Sequence, residues 1–122
     1  MALNKNLGNL GEHIAREHLI AQGYAIIDTN WRMGKSEADI IAYMEGLLVF
    51  VEVKTRSNTD FASPESAVDR AKQRTYVRLA NAYVLQNRRE EEVRFDIITV
   101  VIDNTDHPQV NHILNAFSAA EI

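Results

Sequence analysis

Two extended, alternating segments, Glu37 to Met44 and Leu47 to Thr55, are separated only by Glu45-Gly46. So short a connection requires antiparallel pairing, because parallel strands need a crossover of about a dozen or more residues. A two-residue turn also sets the register. Met44 then faces Leu47, Tyr43 faces Leu48, Ile41 faces Phe50, Asp39 faces Glu52 and Glu37 faces Lys54. Slipping by one residue would send half of each strand's apolar side chains to the wrong face, so this register is strongly specified.

The register has a chemical consequence. Directly opposed residues share a sheet face with Cβ atoms about 4.5–5.5 Å apart, where like charges destabilise. Asp39 and Glu52 therefore need compensation, and Lys54, two residues from Glu52 on the same face, supplies one cation among three carboxylates. Opposed carboxylates with oxygen donors only suit Mg²⁺ or Mn²⁺ rather than zinc. Such an ion polarises a phosphoryl oxygen and lowers the pKa of a bound water, which Lys54 would orient or whose charge it would balance. On spacing alone, a solvated strand face carrying cross-strand ion pairs is the simpler reading. Against it, Ile41, Leu48 and Phe50 share the face, so the charges border a core.

The flanking sequence builds a mixed sheet around this hairpin. Leu7, Leu10, Ile14 and Ala21 recur at helical spacing over Asn6 to Gln22, with Gly23 as a stop. A strand is expected over Tyr24 to Arg32. Ser63-Pro64-Glu65 reads as an N-cap followed by proline in the first turn, with helical periodicity to Asn87 and a charged connector over Arg88 to Glu92. The next strand, Val93 to Ile102, contains the run Ile97-Ile98-Thr99-Val100-Val101-Ile102, apolar but for Thr99, which implies burial on both faces. A weaker strand is expected over Val110 to Leu114. The order is helix, three strands, helix, strand and a further weak strand, an α/β fold with a right-handed parallel crossover from Leu47 to Ile102. The expectation is a single domain over 1–122, with a core at about 6–102 and a C-terminal strand and tail over 103–122.

Composition excludes several classes. With 122 residues, 46% hydrophobic and 25% charged, the chain suits one core and not a disordered tail. It has no cysteine and no apolar run long enough for a signal peptide or membrane span, so a cytoplasmic protein without a membrane partner is expected. The net charge of -4 means that any grip on nucleic acid rests on local cations. Acidic residues gather at Glu90 to Glu92 and at Asp103 and Asp106. Arg70, Lys72, Arg74 and Arg78 crowd together, the arginines reading more simply as a solvated face than as a phosphate-contacting stripe. Lys72 instead falls among Val68, Thr75, Tyr76, Leu79 and Tyr83, on the face that meets the sheet. From there it either reaches Asp39 and Glu52 or runs its stem along the core's rim. Glu12 lies at the border of the first helix's apolar stripe, where an ordinary surface glutamate is the simpler reading. Trp31 is read as a packing residue, and His13, His18, His107 and His112 show no metal-ligand spacing.

The segments from Gly8 to Ala15, Asn30-Trp31-Arg32, Glu37-Ala38-Asp39, Phe50-Val51-Glu52-Val53-Lys54-Thr55-Arg56 and Arg94-Phe95-Asp96 together resemble the YraN-like family of small bacterial proteins. The resemblance spans about Gly8 to Ile102. It implies a restriction-endonuclease-like core of the PD-(D/E)XK nuclease superfamily, close to Holliday-junction resolvases. In it Asp39, Glu52 and Lys54 match the signature and Glu12 matches the acidic position of the first helix. Ser36 departs from the family's usual glycine, with Gly34 two residues earlier. The implied activity is a Mg²⁺- or Mn²⁺-dependent endonuclease acting on DNA rather than RNA, with junction DNA preferred, in which Asp39, Glu52 and Glu12 hold metal. Arg56, Lys72 and Glu37 are the candidate substrate contacts. The competing reading is a catalytically silent nuclease fold that docks nucleic acid or a protein. A homodimer is compatible with either.

Overall fold

The computed structural model describes residues 2–57, 68–102 and 107–119. Its elements run α1 (Ala2–Ala21), β1 (Ala25–Met33), β2 (Ser36–Met44), β3 (Leu47–Arg56), α2 (Arg70–Asn87), β4 (Glu92–Val101) and β5 (Gln109–Phe117). The segment Ser63-Pro64-Glu65 and the acidic pair Asp103 and Asp106 lie outside the described residues, but α2 begins later than the sequence pattern predicts: Val68 and Asp69 are not helical, because the extended Asp69 is itself the cap. Among those described, Asp69 caps α2, its carboxylate accepting the Lys72 N–H at 2.8 Å. Gly23 (φ 98°) ends α1 in a Schellman arrangement, with Tyr24 N bonded to Leu19 O and Gly23 N to Ile20 O.

The five strands form one sheet in the order β1-β2-β3-β4-β5, parallel between β3 and β4 and antiparallel elsewhere. Glu45 (φ 47°) and Gly46 (φ 87°) make the two-residue turn, whose two positive φ values match the twist of the strands. The hairpin register follows from it: Met44 pairs with Leu47, Tyr43 with Leu48 and Ile41 with Phe50.

Each helix covers one face. Ala15 and Leu19 of α1 pack on Ile40, Ala42, Val49, Val51, Ile98 and Val100. Tyr76, Leu79 and Tyr83 of α2 pack on Ile41, Leu48, Phe50, Phe95 and Ile97. Burial of β3 and β4 from both sides accounts for their near-continuous apolar sequence. Trp31 meets the Tyr83 ring edge-on at 5.2 Å, a packing role. The last strand is longer than its weak alternation implied. A register shift between Phe95 and Ile97 bends β5, and the Asp96 carboxylate accepts the Asn115 N–H there at 2.9 Å. No helix among the described residues is long and apolar enough to cross a membrane.

The two glycines inside α1 differ in their surroundings. A Cβ on Gly8 would meet nothing within 4 Å, whereas one on Gly11 would overlap the Thr55 side chain of β3. Alanine is favoured over glycine in a helix by about 1 kcal/mol. Gly8→Ala should therefore stabilise the protein by roughly 0.5–1 kcal/mol, while Gly11→Ala should destabilise it by about 1–3 kcal/mol through overpacking. Urea unfolding of the two variants beside wild type checks this opposition of sign.

Candidate metal centre

The ladder between β2 and β3 runs from the turn to the pair Ile40–Val51. Past that point, the Asp39 side chain takes the place of a backbone partner. Its Oδ2 accepts the Val53 N–H at 2.8 Å, and its own N–H is donated to the Tyr76 hydroxyl at 3.2 Å. Across β1, Asn30 (φ 51°) sits in the left-handed region that asparagine tolerates, between the pairs Thr29–Ile40 and Trp31–Ala38. Ala38 packs in the α2 layer and Ile40 in the α1 layer, although residues two apart in a regular strand share a face. The pleat thus changes phase at Asp39.

On one side of Asp39 lie two further carboxylates. Glu12 of α1, Glu37 of β2 and Asp39 each offer an oxygen within 4.8 Å of the other two. The Asn30 amide bridges the first pair, donating to Glu12 Oε1 at 3.2 Å and to Glu37 Oε2 at 2.9 Å. On the other side is Glu52, 3% exposed, whose Oε1 accepts the Tyr76 O–H at 2.6 Å. Its Oε2 pairs with Lys54 at 3.3 Å and Lys72 at 3.5 Å.

Glu37 departs from the sequence expectation: it does not face Lys54. Because the β2–β3 ladder stops at Ile40, Glu37 pairs across β1 with Arg32, at 3.1 Å, and stands among the acidic donors. Lys72 reaches Glu52, one of the two carboxylates expected for it. Glu12 is brought into the cluster by the close approach of α1 at Gly11. Arg56 donates to the Thr55 carbonyl at 3.2 Å, and Arg78 to Thr75 Oγ1 at 3.3 Å. Sequence reasoning missed Asn30 and the polar use of Tyr76. A tyrosine on the sheet-facing stripe of α2 carried the only hint, since a buried phenol needs a partner.

The electrostatics separate the two opposed carboxylates. Burial and then the Glu52 charge, with a smaller contribution from Glu12, push the Asp39 carboxyl up to about 8; the Val53 N–H opposes this. Burial chiefly, and the neighbouring Asp39 and Glu52, likewise raise the Tyr76 phenol well above its usual range. An all-oxygen donor set whose central member resists ionisation until a cation offsets Glu52 and Glu12 fits a hard divalent cation, Mg²⁺ or Mn²⁺. Open clefts give access on both sides. One, of about 280 Å³, is lined by Leu7, Gly8, Glu12, Val53 and Thr55; the other, of about 350 Å³, by Lys54, Asp69, Ala71, Lys72 and Thr75.

An α/β sheet bearing a carboxylate and lysine site at a strand divergence is therefore the class of protein in hand. The chain belongs to UPF0102, an uncharacterised protein family, whose model matches residues 11–100. It is 49% identical over 117 residues to a UPF0102 protein of Bacteroides thetaiotaomicron, covering 96% of each chain. It is 44% identical to one of Flavobacterium psychrophilum (96% of this chain, 98% of the relative) and 42% identical to one of Alkaliphilus oremlandii (94% and 100%).

Asp39 links the site to stability. Its folded pKa lies above the unfolded value, so the native state binds the extra proton, and the stability this confers is full below about pH 4. It is lost as pH rises through about 8. Asp39→Asn keeps the shape and the acceptor for Val53 N–H but removes the charge. In chelator at pH 8 the variant should exceed wild type by at least about 1 kcal/mol, or ~4 °C in Tm, and the gap should close towards pH 4. Mn²⁺ should stabilise wild type and not the variant. Thermal melts across pH, with and without metal at fixed ionic strength, check all three.

Proposed function

We propose that this protein is a Mg²⁺- or Mn²⁺-dependent endonuclease that hydrolyses phosphodiester bonds in DNA, on a restriction-endonuclease-like core, with branched or junction DNA as its preferred substrate. The observation that carries the reading is the convergence of Glu12, Glu37 and Asp39 on one side of the strand divergence with Glu52, Lys54 and Lys72 on the other. The resemblance to the PD-(D/E)XK superfamily supplies the substrate class. Asp39, with Glu12, Glu37 and Glu52 around it, would hold the ion, which supplies Lewis-acid polarisation and an acidified water.

The chain's own residues supply the rest. Lys54 and Lys72 converge on one oxygen of Glu52 and border the larger cleft, so their ammonium groups are the cations available to a phosphate oxygen. Tyr76 fixes the other oxygen of Glu52 and the Asp39 backbone, which holds the two carboxylates in one geometry. Lys54, paired with Glu52, would orient a water or balance charge on the scissile phosphate. A cytoplasmic protein acting as a homodimer on a two-fold junction is the setting this reading implies.

The test is incubation with labelled single-stranded, duplex, flap and four-way-junction DNA, and with RNA counterparts, in Mn²⁺. Wild type should cut, with junction DNA cut fastest, and Glu52→Gln or Asp39→Asn should slow cutting by about 10²-fold or more. Identical products from wild type and Glu52→Gln, or none on any substrate, would leave a silent docking module as the correct reading.

Binding gives a second measure. With a net charge of -4, affinity should rest on a few cations, so the salt slope for junction DNA should correspond to a few released counterions rather than about ten. If Arg74 and Arg78 touch phosphate, Arg74→Ala combined with Arg78→Ala lowers that slope; an unchanged slope assigns them to solvent.

A further inference from the structure

Away from the carboxylate centre, the far end of α1 meets β5 through a second polar cluster on the same face of the sheet. Asp96 of β4 is fully buried, and Arg94 clasps it with Nε and a terminal nitrogen, both at 2.9 Å. The Asn115 N–H and His112 Nε2, at 2.9 and 2.8 Å, complete its partners, and Arg94 also donates to the Tyr24 hydroxyl at 2.6 Å. His112 therefore gives its Nε2 hydrogen to a carboxylate and turns Nδ1 outward, 3.2 Å from His18 Nε2.

We propose that His18 and His112 form a two-imidazole site for a borderline divalent ion, Zn²⁺, Ni²⁺ or Cu²⁺, which clamps α1 to β5. Three features carry it. Zn–N bonds of about 2.0–2.1 Å in a tetrahedron set neighbouring donors about 3.3 Å apart, and these nitrogens stand at 3.2 Å. The rings lie at 77°, so the two nitrogens meet without the rings stacking. A histidine whose second nitrogen is bonded to a buried carboxylate is the usual support of a metal-bound imidazole, fixing its tautomer and raising its basicity. Asp96 cannot leave that post, because four hydrogen bonds hold it.

Asp96 is matched by Arg94, and the Tyr24 ring centroid lies 6.0 Å from that of His112. Burial and the neighbouring His112 lower the His18 pKa, which favours the neutral imidazole that a metal requires. His18 remains partly exposed, leaving the other coordination positions to water. Nitrogen donors separate this site from the oxygen-only cluster at Glu12, Glu37 and Asp39, which takes harder ions.

The experiment uses full-length Asp39→Asn protein, stripped with chelator, so that the carboxylate centre is disabled. Titration calorimetry with ZnCl₂ near pH 7.5 should give one site per chain, and MgCl₂ should give none. Introducing His18→Ala into the same background, a change at a partly exposed position, should weaken Zn²⁺ binding at least tenfold. Cu²⁺ bound to the parent should show two imidazole nitrogens by electron paramagnetic resonance, and one in the His18→Ala protein. No Zn²⁺ heat in the parent, or equal affinity in both proteins, would overturn the proposal and leave the pair as a hydrogen-bonded pin. Neither result depends on nuclease activity.

Discussion

A single substitution of partners, the Asp39 carboxylate for a backbone carbonyl at the Val53 N–H, determines how the rest of the site is arranged. Where the ladder between β2 and β3 would have continued, a side chain stands between the strands. A hydrogen bond to a charged acceptor contributes about 1.5–3 kcal/mol, yet the acceptor is desolvated and faces Glu52, so its ionised form is disfavoured. The strain is local and opposes stability. Strain of this kind persists where surrounding structure over-determines it. Here that structure is the hairpin turn, the left-handed Asn30 on β1 and the Tyr76 hydroxyl from α2.

Because the pleat changes phase at this point, a carboxylate on one strand joins groups from both faces of the sheet. From the α1 side come Glu12 and Glu37, bridged by Asn30. From the α2 side come Glu52, Lys54, Lys72 and Tyr76. The two opposed carboxylates are consequently unequal: Glu52 has two ammonium partners and a phenol, while the Asp39 carboxyl has one backbone N–H, a side-chain hydrogen bond with Glu52 itself and, among the described residues, no cation. The inequality makes Asp39 the carboxylate whose ionisation a bound cation would favour. Position matters as much as charge, and the contact of Gly11 with Thr55 is what brings α1 near enough for Glu12 to contribute.

Much of this was readable before any coordinates. Glu45-Gly46 set the hairpin register, and the apolar run of β4 marked a strand covered on both faces. Lys54 beside Glu52 follows from strand alternation alone. Glu37 was misplaced because extrapolating a register assumes that the ladder continues, and alternation carries no sign of where a side chain will interrupt it. Asn30 was invisible for the same reason: a left-handed residue inside a strand is a response to its neighbour, not a propensity. Arg94 and Asp96 stand two apart on β4, but His112 and His18 come from β5 and α1, and no sequence spacing relates them to that pair. The length of β5 was underestimated since, at a sheet edge, half of its residues need not be apolar.

The central claim is that the divergence of β2 and β3 at Asp39 creates a site for a hard divalent cation. Crystals soaked in Mn²⁺ and measured near the manganese absorption edge test it without reference to any substrate. The account predicts an anomalous-difference peak within bonding distance of an Asp39 carboxylate oxygen and of at least one of Glu12, Glu37 and Glu52, absent in Asp39→Asn crystals treated identically. A map with no peak at Asp39, or one whose peak survives Asp39→Asn, would contradict it.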